Sequence, residues 1–269
     1  MSIFKGNGYM SDETLNPYLH NPQLDGKPFY LEGYKNRGVL LLHGFTATCS
    51  EVNRLGKSLH RLGFSVYAPL LPGHGTNPAD LNKTTWQDWV KAAEEAYQYV
   101  ANRCLYVTVG GESNGGLLAL YLAAQHREIA GVLAYAPALR LPLSPFQRFV
   151  LKLLAPVIPS LRKRDLDGDT TWQGYKVNPL KAVLQLLQLE REVEKRLPEI
   201  KQPVMIVQGR HDKTINPISS QIVHDRVCSS VKELHWMENS GHCVLLDQES
   251  HEVTRMTIDF LYKVMPFNR

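Results

Sequence analysis

The sequence predicts an α/β fold, a mainly parallel β-sheet flanked by helices and carrying one small inserted cap. Three observations carry this. Short runs such as residues 39–42, apolar throughout, and 204–208, apolar up to its last residue, are what a strand covered on both faces requires. They alternate with longer stretches whose apolar residues recur at helical spacing, which is the order a parallel sheet needs for its crossovers. The chain's 269 residues are 43% apolar and 21% charged, enough to bury one core and ordinary for a globular domain.

Residues 1–27 show no period and are expected to form an N-terminal arm, with the domain proper over 28–269. The first clear strand, 39–42, ends at His43-Gly44. Ser50 is placed to cap a helix in which Val52, Leu55, Leu59 and Leu62 share a face, and Gly63 stops it before a strand over 64–68. Pro72-Gly73-His74-Gly75 makes a loop. Thr85 and Asp88 have the spacing of a reciprocal cap, opening a helix that turns Trp86, Val90, Ala93, Tyr97 and Val100 to one side. A strand over 105–109, a helix over 114–126 and a strand over 129–136 continue the alternation. From about 137 to 178 the rhythm breaks, because Pro137, Pro142, Pro145, Pro156 and Pro159 separate the apolar pieces 146–154 and 157–161. This is the expected cap insertion. Asn178-Pro179 restarts a helix as cap and first residue, and a strand over 204–208, a helix after Pro217, a strand over 231–237 and a helix over about 248–264 follow.

Charge and cysteine usage narrow the function classes. The net charge of +4 is spread along the chain. The cluster Arg162-Lys163-Arg164 is followed at once by Asp165, Asp167 and Asp169, so a solvated loop is expected there and no nucleic-acid partner. Cys49, Cys104, Cys228 and Cys243 lie far apart without metal-ligand spacing and read as free thiols, with no metal or organic cofactor expected. No run approaches the roughly 18 apolar residues of a membrane span, and the first residues lack a secretory apolar segment. A cytoplasmic setting without stable membrane insertion is therefore expected, while the oligomeric state stays open.

The strongest chemical signal is Gly111-Glu112-Ser113-Asn114-Gly115-Gly116, a G-x-S-x-G directly after a strand and directly before a helix. The chain must reverse sharply there, which strains the serine and presents its hydroxyl at a helix N-terminus, where developing negative charge is favoured. A serine hydroxyl is a poor nucleophile until a base takes its proton, so a histidine and an orienting acid are required later in the chain. His242, in the loop before the last helix, is the candidate base, whereas His251 falls inside that helix. Asp212 follows the strand 204–208 at its carboxyl end, where catalytic groups gather, while Asp225 and Asp247 sit on or near helices. The oxyanion formed on attack needs preset N–H donors, and Asn114 and Phe45 are placed to supply them. His43 and His74 read as structural loop residues, and Glu112 as a partner for a polar group behind the elbow.

Taken together, Leu-Leu-Leu-His-Gly-Phe-Thr (40–46), Pro-Gly-His-Gly (72–75), the Ser113 elbow, Gln-Gly-Arg-His-Asp-Lys-Thr-Ile-Asn-Pro (208–217) and Ser-Gly-His (240–242) resemble one family. They are similar to the small bacterial carboxylesterases and monoacylglycerol lipases of the α/β-hydrolase superfamily, over about residues 28–261. The resemblance implies an α/β-hydrolase fold, a Ser113, Asp212, His242 triad with Phe45 and Asn114 as oxyanion donors, and a small-molecule ester as substrate. A thioesterase, a C–C hydrolase or a low-turnover ligand receptor would use the same residues. Phe146, Phe149 and Leu153, at helical spacing in the insertion, are expected either to wall an acyl pocket as a lid or to pack on the sheet. One departure is that Glu112 and Asn114 flank the serine where the family is usually apolar, which makes the acyl preference less transferable.

Overall fold

Continuous burial of the apolar runs builds the centre of the molecule. The computed structural model describes residues 15–34, 36–163 and 171–265. In chain order the elements begin β1 (Leu19–His20), β2 (Phe29–Leu31), β3 (Arg37–Leu42), α1 (Ser50–Arg61), β4 (Ser65–Ala68), α2 (Pro78–Leu81), α3 (Trp86–Ala101), β5 (Tyr106–Glu112), α4 (Asn114–Gln125) and β6 (Gly131–Tyr135). They continue with α5 (Pro145–Leu154), β7 (Ser160–Arg162), β8 (Gly174–Tyr175), β9 (Val177–Pro179), α6 (Leu180–Arg196), β10 (Val204–Gly209), α7 (Ile218–Arg226), β11 (Lys232–Met237) and α8 (Ser250–Val264). Seven strands form the sheet in the order β11-β10-β6-β5-β3-β4-β2, and every neighbouring pair is parallel except the edge pair β2 and β4.

Every residue of β3, β6 and β10 is buried, which explains why those runs lack polar alternation. Along β3, Leu40 and Leu42 enter the core shared with α3, α4 and α6, while Val39 and Leu41 enter the core shared with α1 and α8. The Thr85 cap forms as the spacing predicts: Asp88 N–H donates to Thr85 Oγ1 at 3.3 Å and Thr85 N–H to Asp88 Oδ2 at 2.8 Å.

Several boundaries differ from the sequence reading. Ser50 is the first residue of α1 and makes no cap, because Cys49 ahead of it already has helical dihedrals, leaving no extended residue to turn its side chain onto the helix. Asn178 does not cap α6 either; Val177–Pro179 is instead held as β9, antiparallel to β7. The short helix α2, capped by Asn77 with Pro78 behind it, and the strand β2 have too few residues to show a period. Within the N-terminal stretch, residues 1–14 lie outside the described residues. Leu19 is buried, and β1 pairs antiparallel with β8, so residues 19–20 are tied to the segment between β6 and α6.

That segment reaches back over the loop after β3. Tyr175 N–H donates to Thr46 O at 2.9 Å, Tyr175 Oη–H to Gly73 O at 2.7 Å, and Thr48 Oγ1–H to Gln173 Oε1 at 2.6 Å. Helix α5, by contrast, has no buried residue. Among the described residues no helix is long and apolar enough to cross a membrane.

Candidate active site

Parallel pairing puts the carboxyl ends of β3, β5, β10 and β11 on one edge of the sheet, and the residues that follow them form the site. At the end of β5 the chain reverses within one residue. Ser113 has φ 57° and ψ −112°, a conformation costly for any residue with a side chain. Its N–H donates to Tyr135 O at 2.8 Å and its carbonyl accepts from Ala138 N at 3.2 Å, which fixes the turn. A Cβ on Gly115 would stand 2.0 Å from Leu42 O, so only glycine lets α4 start this close to β3.

The loop after β3 lies against the serine: a Cβ added at Gly44 would be 3.4 Å from Ser113 Cβ and 3.0 Å from Glu51 Oε2. Its shape is held from several sides. Leu71 N–H donates to His43 Nε2 at 3.0 Å, which leaves the ring proton on Nδ1, facing Gly44 O at 3.0 Å. Burial pushes the His43 pKa down to about 4, so the ring is neutral and structural. His74, buried and edge-on to His43 with ring centroids 4.9 Å apart, is held well below the usual range by burial and then by His43. Gly44 N–H donates to Glu51 Oε2 at 2.5 Å. Among the described residues the N–H groups of Phe45 and Asn114 have no protein acceptor.

Asp212 and His242 meet at the end of β10. His242 Nδ1 lies 2.7 Å from Asp212 Oδ2, which also accepts from Gln208 Nε2 at 2.9 Å. Asp212 Oδ1 accepts from Thr214 N at 2.8 Å and Ile215 N at 3.0 Å. Burial alone would raise this carboxyl; the His242 charge and hydrogen bond, with the Ile215 and Gln208 donors, outweigh it and hold the pKa below the usual value. The competing acids serve elsewhere. Asp247 accepts from Gly241 N at 2.6 Å and so shapes the histidine loop, while Asp225 bonds Gln221 and His224 on an exposed face. His251 is exposed on α8 and pairs with Arg54 at 2.7 Å. The His242 loop packs on the elbow through Leu245 N–H, which donates to Glu112 Oε1 at 3.3 Å. Among the described residues no hydrogen bond joins the Ser113 hydroxyl to His242.

Three residues near this edge escaped the sequence reading. Glu51, in the first turn of α1, looks like an acid favoured by the helix dipole but is only 2% exposed, and it accepts from Trp172 Nε1 at 3.0 Å. Gln208 is hidden at the end of an apolar run, where its Oε1 accepts from Ser220 Oγ at 2.8 Å. Lys163 corrects the expectation of a solvated basic loop: its ammonium donates to Thr46 Oγ1 and lies 4.3 Å from the centre of the Trp172 ring. Arg162 is exposed at the end of β7, as expected, and residues 164–170 lie outside the described residues.

The structure does not bring Phe146, Phe149 and Leu153 to the serine as a closed wall. They are 74%, 58% and 60% exposed on α5, and α5 does not pack its face on the sheet. An open groove of about 470 Å³ lined by Trp86, Tyr121 and His126 extends to the end of α4 opposite Ser113. At 1.5 Å rise per residue that end is roughly 18 Å from the elbow.

Comparison with known proteins bears on the family and the fold. The chain is 32% identical over 243 residues to a thermostable monoacylglycerol lipase of Bacillus sp. (strain H-257), covering 90% of this chain and 97% of the relative. It is 30% identical to a carboxylesterase of Bacillus subtilis (strain 168), covering 88% of this chain and 97% of that one. A solved structure from work on LipS and LipT, two metagenome-derived lipolytic enzymes, superposes with a TM-score of 0.83 at 31% identity, over 89% of this chain and 99% of that one. A soluble variant of monoglyceride lipase from Saccharomyces cerevisiae, at 20% identity and a TM-score of 0.71 over 90% and 92% of the two chains, shares the fold. The sequence profile described as serine aminopeptidase, S33 (Hydrolase_4), matches residues 35–249, and the chain belongs to that family of the α/β-hydrolase superfamily.

Proposed function

We propose that the chain is a serine carboxylic ester hydrolase working through an acyl-enzyme on Ser113. The observation that carries this reading is the 2.7 Å contact between His242 Nδ1 and Asp212 Oδ2 on the sheet edge that also carries the strained Ser113. A proton held on Nδ1 by Asp212 leaves Nε2 as the lone-pair nitrogen, the form a base needs. With substrate bound, Nε2 takes the Ser113 proton as Oγ attacks the ester carbonyl; catalytic hydrogen bonds that are long without substrate tighten at this stage. The oxyanion is received by the N–H groups of Phe45 and Asn114, which have no protein acceptor among the described residues. His242 then gives the proton to the departing alcohol, and water repeats the sequence on the acyl-enzyme.

The substrates proposed are short- to medium-chain acyl esters or monoacylglycerols, supported by the names of the relatives. Thioester or C–C cleavage by the same triad has no such support. Residues 137–178 are read as a cap. Because α5 has no buried residue, it has little packing to lose on moving, and an inward turn would bring Phe146, Phe149 and Leu153 toward an acyl chain. Among the described residues no disulfide joins Cys49, Cys104, Cys228 or Cys243, which fits a reducing, cytoplasmic setting.

A series of p-nitrophenyl esters of increasing chain length, with monoacylglycerols, a thioester and an aminoacyl anilide alongside, tests the reading. Ester turnover that peaks within the series and disappears in Ser113→Ala is expected. Faster turnover of the anilide or the thioester would overturn the ester assignment.

A further inference from the structure

Beside the nucleophile two carboxyl groups are shut away from water. Glu112, the last residue of β5, is 0% exposed and Glu51 is 2% exposed. A carboxylate oxygen of each and Cys243 Sγ all lie within 4.8 Å of one another. Two neighbouring anions in such a place repel at low effective dielectric, and each also loses its hydration, so one of the two holds a proton.

Their partners decide which one. Glu51 accepts two N–H donors, Gly44 at 2.5 Å on Oε2 and Trp172 Nε1 at 3.0 Å on Oε1, and sits where the α1 dipole favours an anion. Glu112 accepts Leu245 N–H at 3.3 Å on Oε1, with Val244 N–H also directed at its carboxyl, and its Oε2 is buried with no hydrogen-bond partner among the described residues. An ionised oxygen without a donor is the costlier of the two to bury, so the proton belongs on Glu112.

We propose that Glu51 is a positioning residue for the oxyanion loop, and that the proton held by Glu112 is what allows Glu51 to stay charged there. The inference rests on the reading of Phe45 N–H as an oxyanion donor. One carboxylate then joins the loop after β3, through Gly44, to residue 172 of the segment between β6 and α6, so loop and segment are set together.

The groups facing the pair come from every element packed on it. They are His242 and Cys243 from the loop after β11, Asp212 from the loop after β10, Lys163 from beyond β7, and Tyr135 from β6, whose hydroxyl bonds Thr257 at 2.7 Å. Burial, then the neighbouring Glu51, pushes Glu112 well above the usual carboxylate range. Burial also raises Glu51, against the pull of Gly44 N–H, His242, Trp172 and Lys163. An acid whose pKa is raised keeps its proton at neutral pH and loses it as pH rises, at which point the second charge opposes the first.

Infrared spectroscopy and kinetics test the two halves separately. The difference spectrum of wild type minus Glu112→Gln at neutral pH should contain a protonated carboxylic acid C=O band that disappears at alkaline pH. Glu190, which burial raises to about 7, is present in both proteins and cancels. Glu51→Gln keeps one acceptor oxygen and turns an NH₂ toward the other donor. Its kcat should fall roughly ten- to a hundredfold with KM little changed, and Trp172→Phe added to it removes the opposed N–H and should recover at least threefold. A difference spectrum without the acid band overturns the proton assignment whatever the catalytic outcome. Loss confined to KM, kcat within threefold of wild type, or no recovery in the double variant overturns the positioning role. Failure of the catalytic reading itself would show differently, as ester turnover surviving Ser113→Ala.

Discussion

Replacing Asp212 by asparagine turns one carboxylate oxygen into an NH₂ group at almost constant volume. The Oδ2 position faces two donors, His242 Nδ1 at 2.7 Å and Gln208 Nε2 at 2.9 Å, and the Oδ1 position faces two more, Thr214 N at 2.8 Å and Ile215 N at 3.0 Å. Neither orientation of the amide avoids placing N–H against N–H. With its oxygen toward the two backbone donors, the amide offers His242 a donor, and the ring accepts it only by moving its proton to Nε2. That is the nitrogen which must take the Ser113 proton, so the tautomer is the wrong one for catalysis. A loss of about 10⁴-fold in kcat is expected for such a tautomer change, which corresponds to about 5 kcal/mol of activation free energy. Stability should fall by only about 1–3 kcal/mol for the Gln208 donor left opposed. Steady-state hydrolysis of a p-nitrophenyl ester, with a denaturant melt on the same sample, separates the two quantities. A kcat within tenfold of wild type in a folded variant would refute the orienting role of Asp212.

Further perturbations follow from particular contacts. Gly44→Ala places a methyl 3.0 Å from Glu51 Oε2 and 3.4 Å from Ser113 Cβ, so kcat should drop by about ten- to a hundredfold as the oxyanion loop shifts, with an overpacking cost of about 1–3 kcal/mol in a melt. His43 is buried neutral, its pKa lowered from 6.5 to about 4. The unfolded chain therefore binds this proton first, and the stability His43 contributes is complete above about pH 6.5 and lost as pH falls toward 4. The loss is about 3 kcal/mol at 1.36 kcal/mol per pKa unit. Denaturation of wild type and His43→Gln at pH 7 and pH 4 reads this as a difference of that size in pH dependence, free of the other titrating groups. Thr85→Ala removes the side-chain acceptor of Asp88 N–H at the start of α3 and should cost about 1 kcal/mol in the same assay without changing KM.

Most of the sheet was legible because β3, β6 and β10 are buried on both faces, and burial of that kind leaves runs of mostly apolar residues in the sequence. The Ser113 elbow and the Asp212 and His242 loops were legible for a related reason: parallel strands put all their carboxyl ends on one edge, so residues distant in sequence must gather there. Glu51 was not legible. A glutamate in a first helical turn is commonplace, and what distinguishes this one is a contact with Trp172, 121 residues away. Lys163 was misread for the same reason, since charge neighbours in sequence say nothing of the Trp172 ring and Thr46 hydroxyl it meets in space. The spacing of Phe146, Phe149 and Leu153 identified a helical face correctly, but spacing carries no information about what covers it.

Covalent capture tests the proposed chemistry most directly. The protein treated with a fluorophosphonate reagent and digested for mass spectrometry should carry one adduct, on Ser113. Labelling should vanish in Ser113→Ala and slow by orders of magnitude in His242→Ala. An adduct on another residue, or an unlabelled protein that still hydrolyses esters, would contradict the assignment of Ser113 as nucleophile.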